Sequence, residues 1–146
     1  MRLLSKGPEE TKDIGFRLGR FLKGGDVVAL YGELGSGKTT MVKGIANALG
    51  IEEREIVSAS FTMIVEYSTT PPLFHIDLYR IEKDAELDEI GLQNYIGGEG
   101  ISVIEWAEKA GRELPEDAIW VELKSVSETM REIIIEGIDE KDWDNL

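Results

Sequence analysis

The feature that most restricts the fold of this chain is a glycine-rich loop, GELGSGKTT at residues 32–40, directly after the apolar run VVALY. Gly32, Gly37, Lys38 and Thr39 complete the pattern G-x-x-x-x-G-K-[ST], which forms a phosphate-binding loop where it joins a buried strand to a helix. The apolar run lacks polar alternation, as is typical of a parallel strand covered on both faces. Apolar residues at helical spacing follow the loop, so the sequence predicts a strand, a loop and a helix in succession.

The residue types of the phosphate-binding loop suit a nucleotide held together with Mg²⁺. Glycines let backbone N–H groups turn toward an anion, and the N-terminus of the following helix adds its dipole. Lys38 would neutralise the outer phosphates, and the hydroxyl of Thr39 would be a ligand for Mg²⁺. We expect the nucleotide to be bound by Gly35, Ser36, Gly37, Lys38, Thr39 and Thr40.

Two further predicted strands end in an acidic residue. Asp77 closes the run LFHID, and Glu105 closes ISVIE. A Mg²⁺-nucleotide site needs an acid at the end of a neighbouring strand, where it binds the metal directly or through water. We therefore predict Lys38, Asp77 and Glu105 as catalytic residues and Thr39, Asp77 and Glu105 as metal ligands, with the division of roles between the two acids left open. The only histidine, His75, lies inside an apolar run, and we assign it a structural role.

The rest of the sequence predicts one α/β domain over residues 1–146. Residues 8–22 have the spacing of a helix, and residues 84–96 have a weaker helical pattern interrupted by a glycine. Residues 118–126 and 131–138 alternate between polar and apolar side chains and predict a C-terminal antiparallel strand pair. Together these elements predict a three-layer P-loop NTPase fold with a mixed, mainly parallel sheet.

Composition excludes several classes of function. Acidic residues outnumber basic residues 29 to 16, and the net charge of -13 repels phosphodiester backbones from most of the surface. The absence of cysteine excludes disulfides, thiolate metal sites and a cysteine nucleophile. No apolar stretch is long enough to cross a bilayer, and the opening MRLLSKG is too short and polar for a signal peptide. We expect a cytoplasmic protein that binds neither membranes nor, unaided, nucleic acid.

The loop by itself leaves the use of the nucleotide open. The guanine-reading motif Asn-Lys-x-Asp is absent, which favours ATP over GTP. A small-molecule kinase would bring several arginines over the transferred phosphate from a mobile lid, and no arginine-rich insertion is present. An ATPase is favoured, with a small-molecule kinase and a nucleotide-dependent binding module as the alternatives.

Several segments together resemble the bacterial TsaE (YjeE) family, the small ATPase of the tRNA threonylcarbamoyladenosine machinery. They are PEETKDIGFRLG, GELGSGKTT, SASFTMIVEY, HIDLYR and ISVIEWAEKAGRELP. The resemblance implies a cytosolic ATPase that joins the two paralogous subunits of the threonylcarbamoyl-transferase complex, TsaB-like and TsaD-like, and uses ATP hydrolysis to sustain their turnover. The tRNA, modified at the adenosine next to the anticodon, would then be a substrate of the complex and not of this chain.

The resemblance also implies roles for individual residues. The loop lysine and threonine would contact phosphates and Mg²⁺, Glu105 would serve the metal, and Asp77 would be the acid of the DLYR motif. Thr11 matches the position associated with adenine, and Arg131 matches a late basic position near the nucleotide. Trp106 agrees with the aromatic residue of the family beside this site.

One segment departs from the family pattern. SASFT corresponds to a stretch usually written SPTFT, which the family uses as a switch that responds to nucleotide. Ser58, Phe61 and Thr62 agree with it, whereas Ala59 and Ser60 do not. Without proline at position 59, Ser58 is freer to adopt helical angles, so we expect the details of the switch to differ here.

Overall fold

The structure is a computed structural model that describes residues Met1–Leu146. Its strands are β1 Arg2–Ser5, β2 Val27–Tyr31, β3 Ile64–Tyr67, β4 Leu73–Asp77, β5 Ile101–Glu105, β6 Ile119–Ser125 and β7 Arg131–Glu136. Its α-helices are α1 Pro8–Phe21, α2 Lys38–Ala48, α3 Ala85–Glu89 and α4 Glu140–Asp144. No helix combines the length and the apolar character needed to cross a membrane.

All strands join in one mixed sheet with the order β1-β7-β6-β2-β5-β4-β3. The central strands β6, β2, β5 and β4 are parallel, whereas β7 and β1 on one edge and β3 on the other are antiparallel to their neighbours. This arrangement confirms the predicted α/β class and the C-terminal antiparallel pair. The parallel part is the middle of the sheet, where the carboxyl ends of β2, β4 and β5 meet at one edge.

Strand β2 is buried on both faces, as its continuous apolar run predicts. Val28 and Leu30 belong to the apolar cluster that includes α1 and α2, whereas Val27 and Ala29 belong to a second cluster on the other face. All of these side chains are at most 3% exposed. The strand that leads into the phosphate-binding loop is therefore held rigidly from both sides.

The two faces of the sheet are covered unequally. Helices α1, α2 and α4 pack on one face, and α3 with short 3-10 turns covers the other. The apolar cluster on this second face includes no residue of β6 or β7, so the third layer is limited to the half of the sheet near β4 and β5. The helix predicted over residues 84–96 is split, because Gly91 has a left-handed backbone (φ 71) between α3 and the 3-10 turn Leu92–Tyr95.

Helices α1 and α2 approach each other until their backbones touch. A Cβ atom added at Gly44 would lie 2.1 Å from the carbonyl oxygen of Lys12, and one added at Gly15 would lie 2.4 Å from that of Met41. Only glycine fits at these positions, because real Cβ atoms do not approach backbone atoms so closely. This contact fixes the start of α1 beside the phosphate-binding loop that precedes α2.

Candidate nucleotide-binding site

The glycine-rich loop joins β2 to α2, which is the structural context that its sequence pattern requires. Gly35 (φ 80) and Gly37 (φ 105) adopt left-handed conformations that other residues rarely adopt, and helix α2 begins directly afterwards at Lys38. The space where a Gly35 side chain would project is open, with no heavy atom within 4 Å. The loop therefore offers free backbone and a helix N-terminus of the kind that binds phosphate.

Lys38 is held at this loop by its own backbone. Its side chain is nearly buried, and its ammonium group donates hydrogen bonds to the carbonyl oxygens of Gly32 and, at 2.9 Å, of Glu33. The same nitrogen lies 4.2 Å from the ring centroid of Trp106. Burial lowers the pKa of Lys38, and the charge of Glu105 is the largest of several carboxylate effects that oppose this shift. The nearby carboxylates offset only part of the cost of burying this positive charge, so the site favours the binding of an anion.

The two predicted acids lie side by side at the carboxyl ends of neighbouring parallel strands. Asp77 and Glu105 are paired in the register of β4 and β5. Glu105 Oε1 accepts a hydrogen bond from the hydroxyl of Thr39 at 3.0 Å, and Asp77 Oδ1 accepts one from the backbone N–H of Tyr79 at 2.9 Å. Burial raises the pKa of Asp77, and the nearby charge of Glu105 raises it further. The sheet thus brings residues 66 positions apart in sequence, Thr39 and Glu105, into direct contact.

This donor set suits Mg²⁺. The hydroxyl of Thr39 and the carboxylates of Asp77 and Glu105 supply hard oxygen atoms, which Mg²⁺ prefers. The chain contains no cluster of three or more His, Cys, Asp or Glu residues arranged to hold a metal by themselves. A site with this small number of protein ligands suits Mg²⁺, because the remaining ligands of Mg²⁺ in nucleotide sites are usually phosphates and water.

Two of the cavities that border the phosphate-binding loop share Gly35, Gly37 and Thr40. The first, of about 400 Å³, contains Lys38 together with the candidate Mg²⁺ ligands Thr39, Asp77 and Glu105. Its lining residues are Leu34, Gly35, Gly37, Lys38, Thr39, Thr40, Ser60, Phe61, Asp77, Tyr79, Arg80, Glu105 and Trp106. The second, of about 260 Å³, is lined by Gly7, Pro8, Thr11, Gly35, Gly37, Thr40, Glu128, Thr129 and Arg131. The predicted site residues therefore divide between the cavity that contains Lys38, which we call the polyphosphate side after its expected ligand, and a second cavity that contains Thr11 and Arg131.

Ser36 lies apart from both cavities. Its hydroxyl is buried and has no hydrogen-bond partner, and it would be only 2.5 Å from a Cβ atom at Gly32. Of the loop residues expected to bind nucleotide, Ser36 is thus the one whose side chain points into the protein.

Arg131 is hydrogen-bonded to the phosphate-binding loop. Its Nε donates to the carbonyl oxygen of Ser36 and its Nη2 to that of Gly35, each at 3.1 Å. Its Nη1 donates to carbonyl oxygens of the β6–β7 connection, those of Ser127, Glu128 and Met130. All guanidinium nitrogens are therefore committed to backbone oxygens. Arg131 is next to the second cavity, as the resemblance implies, but its hydrogen bonds tie the loop to β7.

Thr11 is anchored by a strand that sequence patterns did not reveal. Its Oγ1 shares a 2.7 Å hydrogen bond with the hydroxyl of Ser5, the last residue of β1, and both side chains are buried. The methyl group of Thr11 lies 3.6 Å from the point where a Gly37 Cβ would be. Strand β1 thereby fixes the start of α1 against the loop.

The SASFT segment borders the first cavity through Ser60 and Phe61. Phe61 is 79% exposed, and its ring is covered on one side by the guanidinium of Arg80, 4.3 Å from the ring centroid. Ala59 is buried. The segment thus borders the same cavity as Lys38, Asp77 and Glu105.

Sequence reasoning missed one contact in this site. His75, which we expected to be structural, is buried and places Nε2 2.6 Å from Glu105 Oε2. The only signal in the sequence was its spacing, because residues two apart on a strand point to the same face and His75 precedes Asp77 by two.

The raised pKa of Asp77 leads to a prediction about stability. The folded chain binds the Asp77 proton more tightly than the unfolded chain, so ionisation reduces stability as the pH rises above the ordinary value of 3.8, and the full reduction is present above the folded pKa. Asp77→Asn removes this charge and keeps the oxygen that Tyr79 N–H requires. We expect a larger free energy of unfolding than in the parent at neutral pH, with the difference shrinking as the pH falls toward 3.8.

Urea denaturation at neutral pH and at about pH 4 measures this difference. Asp88→Asn, the same change at an exposed acid of α3, is the control and should alter neither value. An Asp77→Asn variant less stable than the parent at neutral pH would contradict the assignment of a buried, costly charge.

Comparison with known proteins identifies the family. The family model described as "Threonylcarbamoyl adenosine biosynthesis protein TsaE" matches residues 5–133. The tRNA threonylcarbamoyladenosine biosynthesis protein TsaE of Treponema pallidum is 40% identical over 135 residues, 92% of this chain and 99% of that protein. The protein of the same name from Bacillus subtilis is 41% identical over 132 residues, 90% of this chain and 82% of that protein.

The fold agrees with these sequence matches. A crystal structure of Bacillus subtilis YdiB superimposes with a TM-score of 0.77 at 35% identity, covering 97% of this chain and 87% of that chain. The glycine-rich loop, the paired acids and the match over residues 5–133 lead to one conclusion: the chain belongs to the TsaE family.

Proposed function

We propose that this chain is a Mg²⁺-dependent ATPase that serves tRNA threonylcarbamoyladenosine modification by driving the turnover of a partner enzyme complex. The observation that carries the proposal is the meeting of the phosphate-binding loop with two buried acids in one cavity, with Thr39 and Glu105 in contact at 3.0 Å. The names of the relatives supply the pathway. In this proposal residues 1–146 act as one P-loop ATPase domain in the cytoplasm.

Four residues on the polyphosphate side, Lys38, Thr39, Asp77 and Glu105, have roles in the proposed hydrolysis. Lys38 leaves its backbone partners to bind the outer phosphates of ATP. Thr39 and Glu105 would hold Mg²⁺, since they already lie within hydrogen-bond distance of each other. When bound, Mg²⁺ neutralises the charge that develops on the phosphates. Asp77, whose backbone hydrogen bond fixes its orientation, would position water next to the metal site.

The second cavity suits the nucleoside. Thr11 and Arg131 line it, and the shared residues Gly35, Gly37 and Thr40 would contact the phosphates that lead from one side of the loop to the other. The absence of an Asn-Lys-x-Asp motif supports adenine over guanine. We therefore assign adenosine to the Thr11 side and the terminal phosphates to the Lys38 side.

In this proposal the threonylcarbamoyl group is transferred by the two paralogous subunits of the threonylcarbamoyl-transferase complex, TsaB-like and TsaD-like, and not by this chain. The net charge of -13 opposes direct binding of tRNA, so tRNA would be recruited by the complex. ATP hydrolysis by this chain would reset the complex between rounds.

ATP turnover by the purified chain with Mg²⁺, alone and with the two partner subunits and tRNA, tests the proposal. We expect slow turnover alone and faster turnover with the complete mixture. If ATP turnover is unchanged by the partners but rises with a small metabolite and yields a phosphorylated product, the chain is a small-molecule kinase instead. Binding of ATP without turnover under any condition would replace it with a nucleotide-dependent binding module.

A further inference from the structure

His75 and Glu105, one of the candidate Mg²⁺ ligands, form a buried polar pair. His75 is 1% exposed and Glu105 is 3% exposed. Nε2 of His75 lies 2.6 Å from Oε2 of Glu105, while Oε1 of the same carboxylate accepts the hydrogen bond from Thr39 at 3.0 Å. The two carboxylate oxygens therefore have different partners, one on the core side and one on the side of the phosphate-binding loop.

The hydrogen bond to His75 restricts the orientation of the Glu105 carboxylate. The last torsion of a glutamate side chain is broad, so a carboxylate with one partner can rotate about that bond. A second partner on the opposite oxygen removes this freedom. His75 lies on β4 and Glu105 on β5, with His75 opposite Val103 and Asp77 opposite Glu105 in the register of these strands. Both members of the pair therefore belong to the parallel part of the sheet.

Packing alone does not explain a histidine at this position. The flanking residues Phe74 and Ile76 are apolar, and Nδ1 of His75 is buried without a hydrogen-bond partner. A buried polar atom left unpaired destabilises the folded chain. The bond to Glu105 is the one hydrogen bond that the ring makes, so the contribution of His75 is exerted through that carboxylate.

We infer that His75 is a positioning residue of the nucleotide site, which holds Oε2 of Glu105 so that Oε1 stays directed at Thr39 and is preorganised to hold the Mg²⁺ of the bound nucleotide. This inference rests on the proposed function, because it needs Mg²⁺ at Thr39 and Glu105. Partners that orient a metal ligand typically change metal affinity by about 10–100-fold.

Two substitutions separate the hydrogen bond from packing. His75→Leu fills the site with an apolar side chain that cannot donate, whereas His75→Gln keeps an amide N–H that can reach Oε2. Calorimetric titration with ADP, in Mg²⁺ and again in EDTA, gives the factor by which Mg²⁺ strengthens binding. We expect His75→Leu to lower this factor about 10-fold or more, His75→Gln to retain most of it, and the affinity in EDTA to be unchanged.

The outcomes distinguish this inference from the proposed function. If the parent chain binds ADP equally well with and without Mg²⁺, both fail. If the parent shows the Mg²⁺ effect and His75→Leu shows it equally, or if His75→Gln is as defective as His75→Leu, only the positioning role of His75 is wrong.

A measurement on the unaltered chain tests the inference even if the His75 variants do not fold. His75 is the only histidine, so its ring ¹⁵N resonances are unambiguous. We expect the Nε2 resonance to shift when ADP binds with Mg²⁺ and to shift less when ADP binds in EDTA. Equal shifts, or none, would overturn the inference.

Discussion

Replacing Lys38 with alanine will lower ATP hydrolysis by the purified chain at least about 100-fold, the loss typical when a donor that stabilises transition-state charge is removed. Lys38 is the one cation in the first cavity that emerges from the loop itself, and its ammonium group lies among backbone oxygens that an incoming phosphate can replace. We expect the fold to survive. Burial already disfavours the charged form of this side chain, so its loss removes an unfavourable charge together with its hydrogen bonds.

Phosphate release over time measures the effect, and the thermal unfolding temperature checks the fold. Lys43→Ala is the matched control, because it removes the same charge from the same helix at a partly exposed position outside both cavities. Hydrolysis by Lys38→Ala at the rate of the Lys43→Ala control would show that the site has been misassigned.

Gly44→Ala is expected to destabilise the chain by about 2 kcal/mol or more, although helix propensity alone predicts the opposite sign. Alanine in a helix interior is favoured over glycine by about 0.8–1 kcal/mol. At Gly44, however, the new Cβ would lie 2.1 Å from the carbonyl oxygen of Lys12 and 2.9 Å from the backbone nitrogen of Phe16. These are backbone atoms of α1, so relief requires the whole helix to move, and that movement would carry Thr11 away from the phosphate-binding loop.

Urea denaturation gives the free energy of unfolding, and ADP titration reports the consequence for the site. Gly98→Ala makes the same chemical change where no heavy atom lies within 4 Å of the new Cβ, and it should leave both quantities nearly unchanged. A Gly44→Ala chain more stable than the parent would mean that the helices do not touch through their backbones.

The features that sequence patterns predicted correctly are those decided by neighbouring residues. The strand β2, the phosphate-binding loop and the helix α2 follow one another within a short stretch, and each has its own periodic or glycine signal. The positions of Asp77 and Glu105 at strand ends could be predicted because strand ends are visible as ends of apolar runs, and β4 and β5 do end at these residues. The family followed from segments spread over most of the chain, and the match over residues 5–133 confirms it.

The features that were missed depend on partners far away in the sequence. Strand β1 has only four residues, Arg2–Ser5, and it exists because β7 offers it an unpaired edge. Gly15 and Gly44 weaken the helical pattern when each is considered alone, yet together they allow α1 and α2 to touch. The short helices over residues 84–96 were predicted as one because the left-handed turn at Gly91 depends on its surroundings.

For this protein, the sequence by itself determined which residue types are available: a glycine-rich loop with the phosphate-binding pattern, a lysine and a threonine at its end, and two acids that close apolar strands. Only the tertiary structure decided which of these groups touch. The register of β4 and β5 brings His75 against Glu105, 30 positions away, and the meeting of strand ends brings Glu105 against Thr39. The physical reason is that strand pairing and helix packing act between distant segments, whereas residue identity and periodicity are local properties.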